Sequence, residues 1–345
     1  MIPLTTLVHL AVVVMAMAAS PDRVAGMENL VAFGDSYTDE GRLDYFTSHG
    51  KAPPVGSLLP PKSITFSGGY AWGRIVANRT GARFYNYAVG GAMCSNDVVG
   101  RQLDAPLVPL PSVIEYEMAT YEADLAHGAL YPNRRPFNTV YALWIGTNDL
   151  GVGGFLGNAQ RSNRTIRSFV ECVWSALDRI YETGGRRFVL MNELPLETAP
   201  MYANPGLYGK GNDRYWRDPS TYDTADGQRA VREYTTSVNT MFEYGLPFHH
   251  LVKKRWPAAS VSLLDLHSLW SGVRADPMRH LDAPANLTAP YRICLSGCVK
   301  SAERLSSFMW YDELHPSERM EEIIGKSFID VVRGASKYGT TYDRY

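Results

Sequence analysis

The sequence predicts a single α/β domain of three layers, with helices on both faces of a mostly parallel central sheet of about five strands. Short apolar runs alternate with stretches of helical periodicity, which is typical of a parallel sheet built from strand–helix–strand units. The chain has 345 residues, of which 45% are hydrophobic, so one domain can bury a large core. No internal repeat, low-complexity segment or linker divides the chain, and we expect one domain over residues 27–340.

Five apolar runs are predicted to be buried strands, namely residues 30–33, 83–89, 139–145, 187–191 and 261–266. The first three runs stop at glycines, which are Gly34, the pair Gly90 and Gly91, and Gly146. Open parallel sheets bind their ligands outside the carboxyl ends of the strands. The residues that follow these three glycine stops are therefore the first place to look for a functional site.

Five stretches with apolar residues at helical spacing are predicted to be helices, namely residues 72–78, 113–125, 162–183, 227–256 and 317–332. Residues 269–308 are predicted to be irregular. Residues 192–225 are predicted to form a long loop, of a length that is uncommon unless the loop is functional or disordered. Its aromatic residues would either stack on a sugar ring or pack on the surface, and they are Tyr202, Tyr208, Tyr215, Trp216 and Tyr222.

A candidate nucleophile follows the first predicted strand. Ser36 lies in a tight turn just after Gly34, so a buried strand would hold its hydroxyl in place. By itself Ser36 would be an ordinary polar turn residue. A catalytic serine needs an adjacent general base near pH 7, and the base needs a third group that fixes its tautomer. Asp312 and His315, three residues apart just before the last predicted helix, offer that carboxylate and imidazole.

Four segments resemble the sequence blocks of the GDSL, or SGNH, hydrolase superfamily. They are Gly-Asp-Ser-Tyr-Thr-Asp-Glu-Gly at 34–41, Asn-Tyr-Ala-Val-Gly-Gly-Ala at 86–92, Gly-Thr-Asn-Asp at 146–149 and Asp-Glu-Leu-His at 312–315. Together they extend over nearly the whole chain in the order that the superfamily has, whereas a lone Gly-Asp-Ser would be a weak match. The resemblance implies a flavodoxin-like α/β/α fold and ester hydrolysis through an acyl-enzyme, without a cofactor.

The resemblance also implies a role for each residue of the triad. Ser36 would be the nucleophile, His315 the general base and Asp312 the carboxylate that orients His315. Of the eight histidines, only His315 combines an acid three residues upstream with a matching block. Asp35, beside the nucleophile, is assigned a supporting role.

The oxyanion hole would be formed by the backbone N–H groups of Ser36 and Gly91 and by the side-chain amide of Asn148. Gly91 is assigned because the superfamily's glycine lies five residues after the asparagine of the second block, and Gly90 stays as the alternative. Glycine suits this place because the backbone must approach a ligand closely. Asp149 is expected to support the site by accepting backbone N–H bonds that hold its loop.

Residues 1–20 are interpreted as a cleaved signal peptide, because an apolar stretch too short to cross a bilayer comfortably is followed by small residues. The stretch has no Lys or Arg before it, so a retained anchor stays as the alternative. Secretion agrees with three glycosylation sequons, at Asn78, Asn163 and Asn286. We therefore expect an extracellular protein.

The four cysteines suit an oxidising compartment. Cys294 and Cys298 are close enough for a disulfide across a short loop in which Gly297 allows the turn. Cys94 and Cys172 would then pair with each other or stay free as buried apolar residues. No Cys-x-x-Cys spacing and no cluster of His and Cys indicates a metal site.

Charge and motif spacing exclude several other functions. The net charge of −1 gives no basic surface for nucleic acid or acidic membranes. The glycines between Gly151 and Gly157 lack the spacing of a dinucleotide motif, and there is no phosphate loop and no Gly-x-Ser-x-Gly elbow. We expect a monomer without nucleic-acid partners and without stable membrane insertion.

The whole pattern most resembles the secreted fungal acetylesterases of the superfamily, which remove acetyl groups from plant cell-wall saccharides. The implied substrate is a small-molecule or oligosaccharide ester. One alternative is a secreted lipase or phospholipase that acts on longer acyl chains. A second is a non-catalytic binding protein on the same fold, which the intact set of site residues disfavours.

Overall fold

The structure is a computed structural model that describes Val24 and residues 26–104, 107–217 and 223–343. The expected signal peptide and Tyr222 lie outside the described residues. The strands and helices, in chain order, are β1 Asn29–Gly34, α1 Arg42–His49, α2 Trp72–Thr80, β2 Arg83–Asn86, β3 Gln102–Asp104, β4 Leu107–Pro109, α3 Met118–His127, β5 Thr139–Trp144, α4 Thr147–Leu150, α5 Ile166–Glu182, β6 Arg187–Met191, α6 Thr224–Pro247, β7 Ser260–Leu264, α7 Leu266–Ala275, β8 Arg292–Cys294, β9 Cys298–Lys300, α8 Glu318–Val332 and β10 Gly339–Tyr342.

Six strands form one central sheet in the order β10–β7–β6–β5–β1–β2. All five predicted strands are present and run parallel to one another, and helices cover the sheet, so the predicted fold class is confirmed. The strand number is corrected to six, because β10 pairs antiparallel with β7 at one edge. This strand was missed because its four residues, Gly-Thr-Thr-Tyr, carry no apolar run and are only partly buried.

The neighbouring strands β1 and β5 are buried at every position. A strand that is covered on both faces reads as a continuous apolar run rather than an alternating one, which is why these two were the clearest strands in the sequence. On one face, Phe33 of β1 and Tyr141 of β5 contact the ring of Tyr121 in α3. Helices α2 and α8 pack together through Trp72 and Phe328.

Several helix boundaries differ from the prediction because of local capping. Helix α5 begins after Thr165, which forms a capping box with Ser168, rather than at residue 162. Helix α6 begins after Asp223 and gives way to a π-helical segment over Phe248–Val252 instead of continuing to residue 256. Helix α7 lies in a region that was predicted to be irregular, and it begins where Asp265 accepts the Ser268 N–H and ends strand β7 early.

All four cysteines form disulfides. Cys94 pairs with Cys172 and so joins the loop after β2 to helix α5, which settles the pairing that the sequence left open. Cys294 pairs with Cys298 across the β8–β9 hairpin, as predicted, and we call this the hairpin disulfide. Among the described helices, none combines the length and the apolar character that a bilayer-crossing segment requires.

Candidate active site

The turn after β1 holds Ser36 against the end of the sheet. Gly34 has a φ of +147°, and a Cβ at this position would lie 2.1 Å from the carbonyl oxygen of Trp144 in the neighbouring strand, so only glycine fits. The N–H of Gly34 donates to the buried carboxylate of Glu117 at 2.9 Å. The backbone N–H of Tyr37 donates to the Asp35 side chain at 3.0 Å and closes the turn around Ser36.

Ser36, His315 and Asp312 form one continuous hydrogen-bonded chain. The His315 Nε2 atom lies 2.8 Å from the Ser36 Oγ, and its Nδ1 atom lies 2.8 Å from the Asp312 Oδ1. All three residues are buried, with exposed fractions of 7% for Ser36, 2% for His315 and 1% for Asp312. A hydroxyl, an imidazole and a carboxylate in this order are the arrangement that activates a serine nucleophile.

The loop from Asp312 to His315 is held by its own carboxylate. The Asp312 Oδ1 accepts the backbone N–H groups of Leu314 at 3.1 Å and His315 at 2.8 Å. Immediately afterwards, Ser317 accepts the Met320 N–H and caps helix α8. Asp312 therefore both orients the His315 imidazole and shapes the loop that carries it. Because carboxylate and imidazole belong to one short loop, holding them in place costs little chain entropy.

Asp312 stays ionised in spite of its burial. Burial by itself would raise the pKa of this carboxyl, but the charge of His315 and the hydrogen bonds from His315 and Tyr215 outweigh it and lower the pKa to about 2. The Tyr215 hydroxyl donates to the Asp312 Oδ2 at 2.7 Å. The guanidinium groups of Arg214 and Arg292 lie 3.7 Å and 4.0 Å from the same oxygen. An ionised Asp312 can therefore stabilise an imidazolium as it forms.

Three aromatic rings surround the imidazole of His315. Phe66 stacks on it with ring centroids 5.2 Å apart, Tyr215 is tilted against it at 5.3 Å, and Tyr37 meets it edge-on at 5.7 Å. Tyr202 and Trp216, two other aromatic residues of the long loop, are buried and belong to the core rather than to a sugar-binding face. Among the described residues of that loop, Tyr215 and Arg214 reach the triad.

The proposed oxyanion-hole residues lie at the carboxyl ends of three strands. The N–H of Gly90 donates to the Asp39 carboxylate at 2.8 Å and is not available to a ligand. Within the described residues, the N–H groups of Ser36 and Gly91 have no hydrogen-bond acceptor. Asn148 lies in α4, directly after β5, and its Nδ2 atom is 3.2 Å from the Asp35 Oδ2. This geometry favours Gly91 over Gly90 as the donor.

Asp35 and Asp149 support the surrounding loops. Asp149 accepts the Cys94 N–H with both carboxylate oxygens at 3.1 Å, which ties the segment after β5 to the loop after β2. Burial raises the pKa of each of these two carboxyls to about 7, although the hydrogen bonds that they accept lower it. Asp35 holds the Asn148 amide on the side that faces the nucleophile turn.

Glu117 was missed by the sequence reasoning although it lies beneath the site. Its two oxygens accept the N–H groups of Gly34 at 2.9 Å and Val89 at 3.2 Å, so one buried carboxylate links the ends of β1 and β2. Burial raises its pKa well above the ordinary value. In the sequence it is one of several glutamates in a helical pattern, which carries no signal of this role. Among the described residues, no three His, Cys, Asp or Glu side chains form a metal-binding group.

Comparisons with known proteins place the chain in one family. A profile of the family described as GDSL-like Lipase/Acylhydrolase matches residues 30–328. An acetylesterase of Hypocrea jecorina is 41% identical over 320 residues, which cover 92% of each chain. An acetylesterase of Thermothelomyces thermophilus is 23% identical over 331 residues, covering 93% of this chain and 94% of the relative. A catalytic mutant of an acetylxylan esterase from Geobacillus stearothermophilus, 13% identical, superposes with a TM-score of 0.41 over 88% of this chain and 94% of that one.

Proposed function

The chain belongs to the GDSL-like lipase/acylhydrolase family and is a carboxylic-ester hydrolase, and we propose that it releases acetate from acetylated plant cell-wall saccharides. The observation that carries the catalytic part is the hydrogen-bonded chain from Ser36 through His315 to Asp312. The acetyl preference is supported by 41% identity to a fungal acetylesterase over nearly the full length of both proteins.

In the proposed mechanism Ser36 attacks the ester carbonyl carbon while the His315 Nε2 takes the hydroxyl proton. The tetrahedral oxyanion is bound by the N–H groups of Ser36 and Gly91 and by the Asn148 amide. The imidazolium, stabilised by ionised Asp312, then protonates the leaving alcohol, and an acyl-enzyme remains. Water attacks the acyl-enzyme with His315 again as the base, and acetate leaves.

The polar composition of the surrounding loops favours a small acyl group. A lipase must offer an extended apolar groove or lid beside the serine, because each buried CH₂ contributes about 0.8 kcal/mol, or roughly a fourfold change in binding. Loop residues that reach the catalytic groups in this structure include the guanidinium groups of Arg101 and Arg214 and the hydroxyl of Tyr215. Polar groups so close to the catalytic residues would be costly to cover with a fatty chain.

The test is a series of p-nitrophenyl esters with acetyl, butyryl and octanoyl groups, together with acetylated xylo-oligosaccharides. We expect kcat/KM to fall steadily from acetyl to octanoyl and acetate to be released from the sugars. If kcat/KM rises toward octanoyl and the sugars release no acetate, the protein is a lipase instead. If no ester is turned over, the result favours the binding-protein alternative.

Ser36→Ala and His315→Ala test the residue assignment on p-nitrophenyl acetate. Each should lower kcat by several orders of magnitude, up to about 10⁶, while circular dichroism stays unchanged. Ser48→Ala and His127→Ala are matched controls, because both side chains are exposed and neither is a hydrogen-bond partner of a triad residue. A folded Ser36→Ala protein with near-normal activity would end the assignment.

We also propose that the protein is secreted, monomeric and glycosylated. The two disulfides support an oxidising compartment. Asn78 and Asn163 are exposed, whereas Asn286 is half-buried and its Oδ1 accepts the N–H groups of Thr288 and Ala289. Mass spectrometry of protein from the culture medium, before and after glycosidase treatment, should find glycans at Asn78 and Asn163 and a new amino terminus near residue 20.

A further inference from the structure

Arg101 contacts two of the three proposed oxyanion-hole residues through one nitrogen. It lies just before β3 in the loop that follows β2, where its carbonyl oxygen accepts the Leu110 N–H at 2.9 Å. Its Nη1 atom donates to the carbonyl oxygen of Gly91 at 3.1 Å and to the Oδ1 atom of Asn148 at 3.2 Å. One guanidinium thus bridges the segments that follow β2 and β5.

The bridge fixes which way the Asn148 amide points. A guanidinium has donors only, so the atom of Asn148 that faces Arg101 must be the carbonyl oxygen. The amide nitrogen then points the other way and donates one of its hydrogens to the Asp35 Oδ2, which lies 3.2 Å from the nitrogen. Its second hydrogen is left for a ligand. With the Asn148 amide reversed, two donors would meet at Arg101 and an oxygen would face the developing oxyanion.

The guanidinium packs against two glycines. A Cβ at Gly91 would lie 3.3 Å from its Nη1 atom, and a Cβ at Gly153 would lie 3.5 Å from its Nε atom. Gly91 also has a φ of +80°, which disfavours any other residue. The side chain of Arg101 is therefore confined between the loop after β2 and the segment after α4, rather than free in solvent.

The charge of Arg101 is not neutralised by its hydrogen-bond partners. Both acceptors, the Gly91 carbonyl and the Asn148 amide oxygen, are uncharged. Burial lowers the pKa of Arg101, while the nearby Tyr202 and Asp149 raise it. A guanidinium keeps its proton in proteins even so. A fixed positive charge therefore lies one hydrogen bond away from two groups that would face the oxyanion.

We propose that Arg101 is a positioning residue of the oxyanion hole. It orients the Asn148 amide, holds the Gly91 segment beside it and adds positive potential where negative charge develops. This inference rests on the proposed serine-esterase mechanism, because it assigns Arg101 a role that acts through Asn148 and Gly91.

The test is a double-mutant cycle on p-nitrophenyl acetate with Arg101→Met, Asn148→Ala and the combined variant. Arg101→Met should lower kcat by roughly 10- to 100-fold with KM changed by less than about twofold, because misplaced groups act on the transition state. In the Asn148→Ala background Arg101→Met should lower kcat by less than about threefold, because the amide that Arg101 orients is absent. Arg101→Lys should recover part of the activity, because an ammonium keeps the charge and can donate to both oxygens.

Arg164→Gln is the matched control, because Arg164 is another loop arginine that donates to a backbone carbonyl, that of Asp97 at 3.0 Å, without contacting Gly91 or Asn148. Its kcat should be unchanged. Equal losses in both backgrounds, or a change in KM alone, would overturn the proposal, as would failure of both Arg101 variants to fold by circular dichroism. Absence of turnover by the wild-type protein would instead refute the proposed function itself.

Discussion

Raising the pH from about 5 to about 7 should destabilise the folded protein, and Asp149 should account for a measurable share of the change. Asp149 is fully buried, and burial raises its pKa from 3.8 to about 7, against the opposing effect of the Cys94 N–H. In the unfolded chain this carboxyl ionises near its ordinary pKa. Between these two pKa values the folded state therefore holds a proton that the unfolded state has released.

The sign follows from this difference in bound protons. A carboxyl whose pKa is raised by folding contributes stability that is fully present below its unfolded pKa and is lost as the pH rises through its folded pKa. With a folded pKa of about 7 and an unfolded pKa of 3.8, the contribution of Asp149 to the free energy of unfolding is roughly 3 kcal/mol at pH 5 and under about half a kcal/mol at pH 7. The loss over this interval is roughly 2 kcal/mol.

The assay compares the wild-type protein with Asp149→Asn by urea unfolding at several pH values from about 5 to about 7. The substituted side chain keeps one acceptor for the Cys94 N–H and cannot ionise. As the pH rises, the free energy of unfolding of the wild type should therefore fall by roughly 2 kcal/mol relative to that of Asp149→Asn. Asp35, whose pKa burial also raises to about 7, is present in both proteins, so its own burial does not create this difference.

Asp97→Asn is the control, because Asp97 is an exposed carboxylate on the neighbouring loop. Its stability difference from the wild type should not change across the same pH range. A difference between wild type and Asp149→Asn that stays constant, or that moves in favour of the wild type with rising pH, would show that Asp149 is already ionised in the folded protein. The burial argument would then be wrong.

Three further substitutions test other parts of the site. Asn148→Ala should lower kcat by roughly 10² to 10³ with little change in KM, as expected for one oxyanion donor, and a change in KM alone would make Asn148 a substrate contact. Tyr215→Phe removes a hydrogen bond to the triad carboxylate, and since such bonds to charged groups contribute about 1.5–3 kcal/mol to stability, the free energy of unfolding in urea should fall by about that amount; a loss under about 0.5 kcal/mol would exclude this contribution. A disulfide stabilises the fold by restricting the unfolded chain, and more so for a longer loop. Replacing both Cys94 and Cys172, which are 78 residues apart, with serine should therefore lower the free energy of unfolding in urea by about 4–5 kcal/mol, whereas removing the hairpin disulfide should lower it by about 2 kcal/mol. Equal losses for the two disulfides would contradict this explanation.

The sequence predicted the parallel core of the fold because burial on both faces leaves a simple pattern. Strands β1 and β5 are apolar runs that stop at a glycine, and the runs are too short to be interpreted as helices. Elements at the periphery lack that pattern. Helix α1 has only two buried residues, and β10 is a polar edge strand whose pairing depends on β7 being already in place. Such elements are formed by tertiary contacts, which local periodicity does not report.

Each predicted site residue lies within a few residues of a strong apolar run or of a capped helix. Ser36, Gly91 and Asn148 follow three strands, and His315 precedes α8. The carboxyl ends of parallel strands meet at one edge of a sheet, which is why these residues were predicted to lie together. In the structure Ser36 and His315, which are 279 positions apart in the sequence, are in direct contact. Their catalytic roles stay predictions until the substitutions are made.

The supporting roles of Tyr215 and Arg101 were not predicted: Tyr215 was named only as one of the aromatic residues of the long loop, and Arg101 was not singled out. Tyr215 lies 97 positions from Asp312 and Arg101 lies 47 positions from Asn148, each in a loop without periodicity. The strand ends are fixed by the buried core, whereas the positions of these two side chains depend on how their loops fold back over it. Substitutions in the loops should therefore change how well the catalytic groups are oriented and which esters reach them, while the identity of the reacting groups is set at the strand ends.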